Sequence, residues 1–299
     1  MEILNKIIND YHNGKSLTKI AKDENLSRRK VTKLLKDAGE TIINKHNEIK
    51  FNQQYFDIID TEEKAYWLGF IFADGCIMAN NYTFELSLGI KDRSHIKKFV
   101  DAIQFTGNIY NKKYAVSCSL RSKHFWTQLN SLGCVPRKSL ILEFPDSSIF
   151  SNKDLIRHFI RGYFDGDGCI SQYVRTKAVS PHVELIGTKS FINKIIEYSG
   201  INGTMYHDKR HHDNTFNLRF SKNSGIDFIN YLYDNCNIYL NRKYSKYTFF
   251  KNGSRSVQEW TEFNQPKSVK AWDGNTEVNT ETKESVSPYS VEIEPDKSE

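Results

Sequence analysis

No run of about 18 uncharged apolar residues occurs anywhere in the 299-residue chain, so no membrane-spanning helix is expected. The N-terminus, MEILNKIINDYHNG, lacks the basic-then-apolar layout of a secretory signal. There is no C-x-x-C pair, and the five cysteines (Cys76, Cys118, Cys134, Cys169, Cys236) are an odd number. A disulfide framework and a zinc site are both disfavoured; buried free thiols in a reducing compartment are the expectation. These absences predict a cytoplasmic protein without membrane contact. What is present suffices for a core: 38% of residues are hydrophobic and 13% aromatic. The length leaves room for about two domains.

The net charge of +6 is unevenly spread. Of the 42 basic and 36 acidic residues, 6 and 10 fall in 251–299, so residues 1–250 hold 36 against 26, a balance of +10. A basic folded part points to a polyanionic partner, most simply nucleic acid, with plain solubility as the bland alternative.

Residues 1–40 read as three short helices. Ile3, Leu4, Ile7, Ile8 and Tyr11 recur at helical spacing before the Asn13-Gly14 stop. Leu17, Ile20 and Ala21 share a face in the second helix. Ser27 is a predicted N-cap for the third, with Val31, Leu34 and Leu35 inward and Gly39 at its end. This segment resembles the helix-turn-helix of site-specific recombinases and phage regulators, whose third helix enters the major groove. Arg28, Arg29, Lys30, Thr32 and Lys33 would lie on its outward side. Residues 41–58 read as a polar linker. The tail, 251–299, has no apolar periodicity and is expected to be disordered.

Between these ends the chain repeats. GFIFADGCI at 69–77 recurs as GYFDGDGCI at 162–170, an offset of 93. Gly69, Asp74, Gly75, Cys76 and Ile77 are matched by Gly162, Asp167, Gly168, Cys169 and Ile170. Each copy, 59–150 and 151–250, reads as helix, two strands, helix, two strands, helix, and each closes on a basic pair, Arg137-Lys138 and Arg242-Lys243. Asp60 with Glu63, and Ser151 with Asp154, have capping-box spacing. Gly69 and Ala73 share one helix face, as do Gly162 and Gly166. Small faces of this kind allow two helices to touch backbone to backbone and end together. Gly75 and Gly168 then suit the left-handed position past each end. Asp74 and Asp167 would sit together at two helix C-termini, where the macrodipoles and their mutual repulsion are unfavourable. A hard divalent cation such as Mg²⁺ reverses both terms. A single Asp-Gly would be only a turn; two with matched small faces are not.

YWLGFIFADG and FIRGYFDGDG resemble the two signature motifs of the LAGLIDADG homing endonucleases, over about residues 59–250. Motif 1 departs at its sixth position, where Phe72 replaces an acid; motif 2 keeps Asp165, which looks dispensable because the first copy lacks it. The resemblance implies an α+β fold of tandem αββαββα repeats, a pseudo-two-fold core with two saddle-shaped antiparallel sheets straddling double-stranded DNA. It implies Asp74 and Asp167 as metal ligands, the carbonyls of Ala73 and Gly166 as further ligands, and Mg²⁺-assisted hydrolysis of one phosphodiester on each strand. The family places a lysine near each site, and Lys138 and Lys243 are the candidates. Strand alternation nominates base-reading faces: Ser117, Ser119 and Arg121 in copy 1, and Tyr173, Arg175, Lys177, Asn217 and Arg219 in copy 2. A monomer is expected. The chain does not begin with a nucleophile or end in His-Asn, so it is expected to be free-standing or intron-encoded rather than intein-embedded. Its Lys- and Asn-heavy usage suggests an AT-rich genome such as that of a phage or its bacterial host. A non-cleaving regulator and an intron-RNA-binding maturase are the alternatives on the same fold.

Overall fold

The computed structural model describes residues 2–40, 42, 49–79, 81–174, 178–208, 214–264, 269–272 and 277–280. The chain divides into two compact units, 1–49 and 50–299.

The smaller unit holds α1 (Glu2–His12), α2 (Leu17–Asp23) and α3 (Arg28–Asp37). Ser16 and Ser27 cap α2 and α3, each hydroxyl accepting the amide of the residue three later, at 3.2 Å. Gly39 has φ +83°, the left-handed geometry that ends α3. Ile7, Ile20, Ala21, Val31 and Leu35 close a small core between the three helices. Ile3, grouped with the inward residues by periodicity, is instead 60% exposed.

The larger unit begins with α4 (Glu62–Asp74), β1 (Gly75–Ile77), β2 (Thr83–Gly89), α5 (Arg93–Ala102), β3 (Tyr110–Asn111), β4 (Ala115–Arg121) and α6 (Lys123–Ser131). The second copy follows as α7 (Leu155–Asp167), β5 (Gly168–Val174), β6 (Val179–Gly187), α8 (Lys189–Ser199), β7 (Thr204–His207), β8 (Phe216–Ser221) and α9 (Asn223–Tyr233), then α10 (Asn241–Phe250). Each copy builds a four-stranded antiparallel sheet, in the orders β1-β2-β4-β3 and β5-β6-β8-β7. The registers correspond: Gly75 pairs with Leu86 and Gly168 with Leu185. Alternation decides which face is buried. Phe84, Leu86 and Leu88 of β2 and Val116, Cys118 and Leu120 of β4 enter the core, as do Val183, Leu185, Leu218 and Phe220 in the second sheet.

α4 and α7 lie at the centre. Every residue from Ala65 to Phe72 is buried, and so is every residue from His158 to Asp165. The buried stretch of α4 is apolar on all sides and must be enclosed on all sides; α7 is enclosed although it carries His158, Arg161 and Asp165, whose polar groups then need partners.

Several expectations are corrected. The N-cap of α4 is Thr61, whose hydroxyl accepts from the Lys64 amide at 3.3 Å; Asp60 pairs with the Lys64 ammonium instead. Before α7, Asn152 accepts from the amides of Asp154 and Leu155, and Ser151 caps nothing. From residue 50 the expected linker belongs to the larger unit: Tyr55 and Phe56 are buried and Phe51 meets Phe105 and Phe125. Its average polarity had masked three well-placed aromatic anchors. The expected tail contains α11 (Val257–Phe263), held by a Ser256–Glu259 capping box, and its Trp260 and Phe263 pack on Phe249. β9 (Val269–Trp272) and β10 (Glu277–Thr280) pair antiparallel beyond it. The five cysteines are free, but Cys76 and Cys169 are exposed rather than buried. No described helix is long and apolar enough to cross a membrane.

Candidate active site

The site is built by the contact of α4 with α7. A Cβ on Gly69 would stand 1.9 Å from the Phe159 carbonyl oxygen, and one on Gly162 would stand 1.9 Å from that of Tyr66. The two contacts are reciprocal: Tyr66 and Phe159 are themselves 93 apart, the same offset as Gly69 and Gly162. One turn on, a Cβ on Gly166 would fall 2.3 Å from the Ala73 Cβ and 3.3 Å from a carboxylate oxygen of Asp74. The backbones therefore touch, and the helices end side by side at Asp74 and Asp167.

Gly75 and Gly168 are not left-handed: their φ values are −74° and −93°. They are small because the chain turns straight into a strand over the preceding helical turn. A Cβ would lie 2.7 Å from the Ile71 carbonyl oxygen in one case and 2.2 Å from the Phe164 ring in the other.

Four charged groups converge at these helix ends. Burial lifts the Asp74 carboxyl above the ordinary range, against the pull of Lys243 and Lys138. Burial, and then the neighbouring Asp74, push Asp167 up to about 6, against the same two lysines. Among the described residues no hydrogen-bond donor reaches the Asp74 carboxylate, and no cluster of three or more His, Cys, Asp or Glu side chains forms. The Tyr163 hydroxyl also reaches Asp167 and lowers it in part. Two desolvated carboxylates, that of Asp74 without a donor, suit a hard cation that keeps water and phosphate oxygens in its shell. The carbonyls of Ala73 and Gly166 lie in the last helical turns, where intrahelical donors run out.

The two basic pairs look alike in sequence but sit on different local structures. Arg137 is left-handed (φ 57°) and leads into a single 3-10 turn, from which the Lys138 ammonium donates to the Gly75 carbonyl. Arg242 and Lys243 lie within α10. Lys243 is 2% exposed and donates to the carbonyls of Phe164 and Asp165. Its burial draws the ammonium down to about 8, against the attraction of Asp165.

Asp165, which had looked dispensable, is fully buried and accepts from three donors: the Tyr66 hydroxyl at 2.7 Å, the Tyr233 hydroxyl, and the Leu240 amide at 2.7 Å. The Tyr66 proton goes to Asp165, so His95 Nε2, 2.9 Å away, carries the hydrogen that Tyr66 oxygen accepts. Burial holds His95 neutral, drawing its pKa down to about 3. Arg161, also fully buried, pairs with Glu62 at 2.7 Å and donates to the Leu232 and Ile238 carbonyls. Sequence reading missed this network because its members are scattered from 62 to 240; the one local signal was an acid inside an apolar helix.

The nominated DNA-contacting residues separate by exposure. Arg28, Arg29, Lys30 and Lys33 are exposed on α3, whereas the Thr32 hydroxyl is tied to the Arg28 carbonyl at 2.9 Å. Arg121 is exposed and Ser119 half-buried; Tyr173 is on the surface. Ser117 is buried in the middle of its sheet. Asn217 is buried too, its amide donating to Asp208 at 3.1 Å. Neither offers a free edge to a base, because a central strand is shielded by its neighbours' side chains. Arg219 lies over the Tyr206 ring, 4.9 Å from its centroid, beside Glu184. Arg175 and Lys177 lie outside the described residues. Glu85 and Glu184 went unremarked in sequence; they face Cys76 and Cys169 at equivalent register positions.

Residues 154–232 match the family model described as a LAGLIDADG-like domain. That span contains Asp165, Asp167 and the second sheet; Asp74 lies outside it. The chain is 25% identical over 158 residues to the uncharacterised protein MJ0314 of Methanocaldococcus jannaschii, covering 50% of this chain and 60% of that relative's length. Among solved structures, a point variant of I-SmaMI is 14% identical, covering 62% of this chain and 88% of that one, with a TM-score of 0.45. The I-LtrWI LAGLIDADG homing endonuclease bound to target DNA is also 14% identical, covering 66% and 90%, with a TM-score of 0.44.

Proposed function

We propose that this protein is a site-specific endonuclease that hydrolyses one phosphodiester on each strand of duplex DNA with Mg²⁺. The observation that carries the reading is the placement of Asp74 and Asp167. The backbone contact of α4 and α7 brings two mutually repelling, desolvated carboxylates to adjacent helix ends beside two lysines. A pure binding protein has no use for that repulsion. The LAGLIDADG-like match over 154–232 and the basic balance of 1–250 support the same reading.

Asp74 and Asp167 would hold the cation, with the Ala73 and Gly166 carbonyls beside them. When bound, the metal would supply charge to activate water and to stabilise the leaving oxygen. The chain's own residues do the rest. Lys138 and Lys243 place positive charge where a phosphate would arrive. The polar faces of the two sheets, with Ser119, Arg121, Tyr173 and Arg219, meet base edges in the major groove. The two copies differ in sequence, so the target is asymmetric.

In this reading α3 is the recognition helix of a helix-turn-helix, and Arg28, Arg29, Lys30 and Lys33 contact DNA. Each phosphate contact adds about one unit to the slope of log affinity against log salt. Deleting residues 1–40 is expected to weaken affinity for the site and to flatten that slope. An unchanged slope would reduce the unit to a structural cap.

The deciding experiment incubates the protein with a randomised DNA library and Mg²⁺ and sequences the ends produced. Recurrent cleavage at one sequence is the expected outcome. Intact DNA at every metal and salt condition tried would remove the endonuclease reading.

A further inference from the structure

Asp165 is the acid that the first copy replaces with Phe72, and the two side chains sit in different settings. Phe72 packs edge-on against Phe159, with ring centroids 5.1 Å apart. Asp165 is enclosed completely, and enclosing a carboxylate is costly unless its lone pairs are met. Here they are met by groups from three elements. Tyr66 comes from α4, Tyr233 from α9, and the Leu240 amide from the N-cap of α10.

The consequence lies one turn further along α10. Lys243 is three residues after Leu240, on the same face of the chain as it enters the helix. Its ammonium returns to the Phe164 carbonyl and, at 2.8 Å, to the carbonyl of Asp165 itself. Residue 165 thus grips the start of α10 twice, by its carboxylate at Leu240 and by its carbonyl at Lys243. Both grips are on the last turns of the helix that ends at Asp167. The first half has no such device, because Lys138 is presented from a 3-10 turn after left-handed Arg137.

We propose that Asp165 is a positioning residue for the second half of the site: its carboxylate sets the start of α10 and so holds Lys243 against the end of α7. On the endonuclease reading above, hydrolysis of one DNA strand then depends on Asp165 and hydrolysis of the other does not. A leucine in its place keeps the branching of the side chain but offers no acceptor, so the Tyr66 and Tyr233 hydroxyls and the Leu240 amide all lose their partner and the start of α10 shifts.

The test compares wild type, Asp165→Leu and Tyr233→Phe on a supercoiled plasmid carrying the selected target and on a linear duplex of the same site with each strand end-labelled in turn. For Asp165→Leu the expected result is accumulation of nicked circles. One strand should be cut at least tenfold more slowly, with the other within twofold of wild type and site binding unchanged. Tyr233→Phe removes a single donor, and should give a smaller loss on the same strand; it carries the test if Asp165→Leu does not fold. Acetic anhydride labelling, read by mass spectrometry, is run on the same proteins. Lys243 should be protected in wild type and reactive in the variants, with Lys138 unchanged. A fall of both strands together, or wild-type rates on both, overturns the positioning role. Absence of cleavage by the wild type removes the endonuclease reading instead. The labelling then decides the positioning alone, and equal protection of Lys243 in all three proteins overturns it.

Discussion

Asp74→Asn and Asp167→Asn are each expected to reduce the proposed double-strand cleavage by about 10³-fold or more, the scale on which charge-stabilising groups act, and to leave site binding in place. The expectation follows from position: each carboxylate ends one of two touching helices, and neither is among the exposed basic residues proposed to hold DNA. The same pair predicts an effect that needs no DNA. The folded protein raises Asp167 from 3.8 to about 6, so folding favours its protonated form. That contribution is complete below about pH 4 and disappears as the pH rises through about 6. Above that, charged Asp167 opposes folding by up to about 3 kcal/mol, two pH units of linkage. Asp167→Asn is therefore more stable than wild type at pH 8, and the gain fades between about pH 6 and pH 4. Added Mg²⁺ should raise the melting temperature of the wild type at pH 8 and not that of the Asp74→Asn, Asp167→Asn double variant. Thermal melts across pH, with and without metal, read both effects. Full cleavage by the double variant would sink the assignment of the two acids.

Gly69→Ala and Gly162→Ala should each destabilise the larger unit by about 4 kcal/mol or more, in the upper tail for single substitutions. In an open helix this exchange stabilises by about 0.5–1 kcal/mol, since glycine loses the most freedom on folding. Here the sign reverses. The new methyl would fall 1.9 Å from a carbonyl oxygen of the facing helix, and that oxygen is backbone with nowhere to go. The helices must separate, which loosens Tyr66, Phe70, Phe159 and Tyr163 in the fully buried interior. Gly89→Ala is the control, with φ −58° and its nearest neighbour, the Lys91 side chain, 4.0 Å away. Urea denaturation should leave that control within about 0.5 kcal/mol of wild type. Denaturation midpoints for Gly69→Ala and Gly162→Ala equal to that of the control would contradict the close helix contact.

Much of this architecture is legible in the residues because it depends on short-range patterns. Repeated DGCI, small residues four apart, and strands alternating polar with apolar each carry their geometry locally. The cap positions were not legible, since Thr61 and Asn152 lie beside equally good candidates and only the entry path of the chain chooses among them. Nor was the burial of Ser117 and Asn217. Alternation says which face a side chain takes, but not how deep in the sheet it lies. Residues 50–58 show the same limit: three aromatics in a polar stretch read as linker until the core they fill is in view.

The sequence by itself determined that the larger unit is two copies of one αββαββα plan, that small faces allow their first helices to meet, and that an acid ends each. Repetition and steric size are enough for that. Only the tertiary structure decided that the copies are not equivalent. Lys138 and Lys243 follow identical basic neighbours, yet one stands on a 3-10 turn and the other is buried inside a helix. Asp165, unremarkable beside Asp167 in the chain, is the acid that gathers Tyr66, Tyr233 and Leu240 from segments 99, 68 and 75 residues away. The value of a buried charge lies in the partners that surround it, and those are brought together only by the fold.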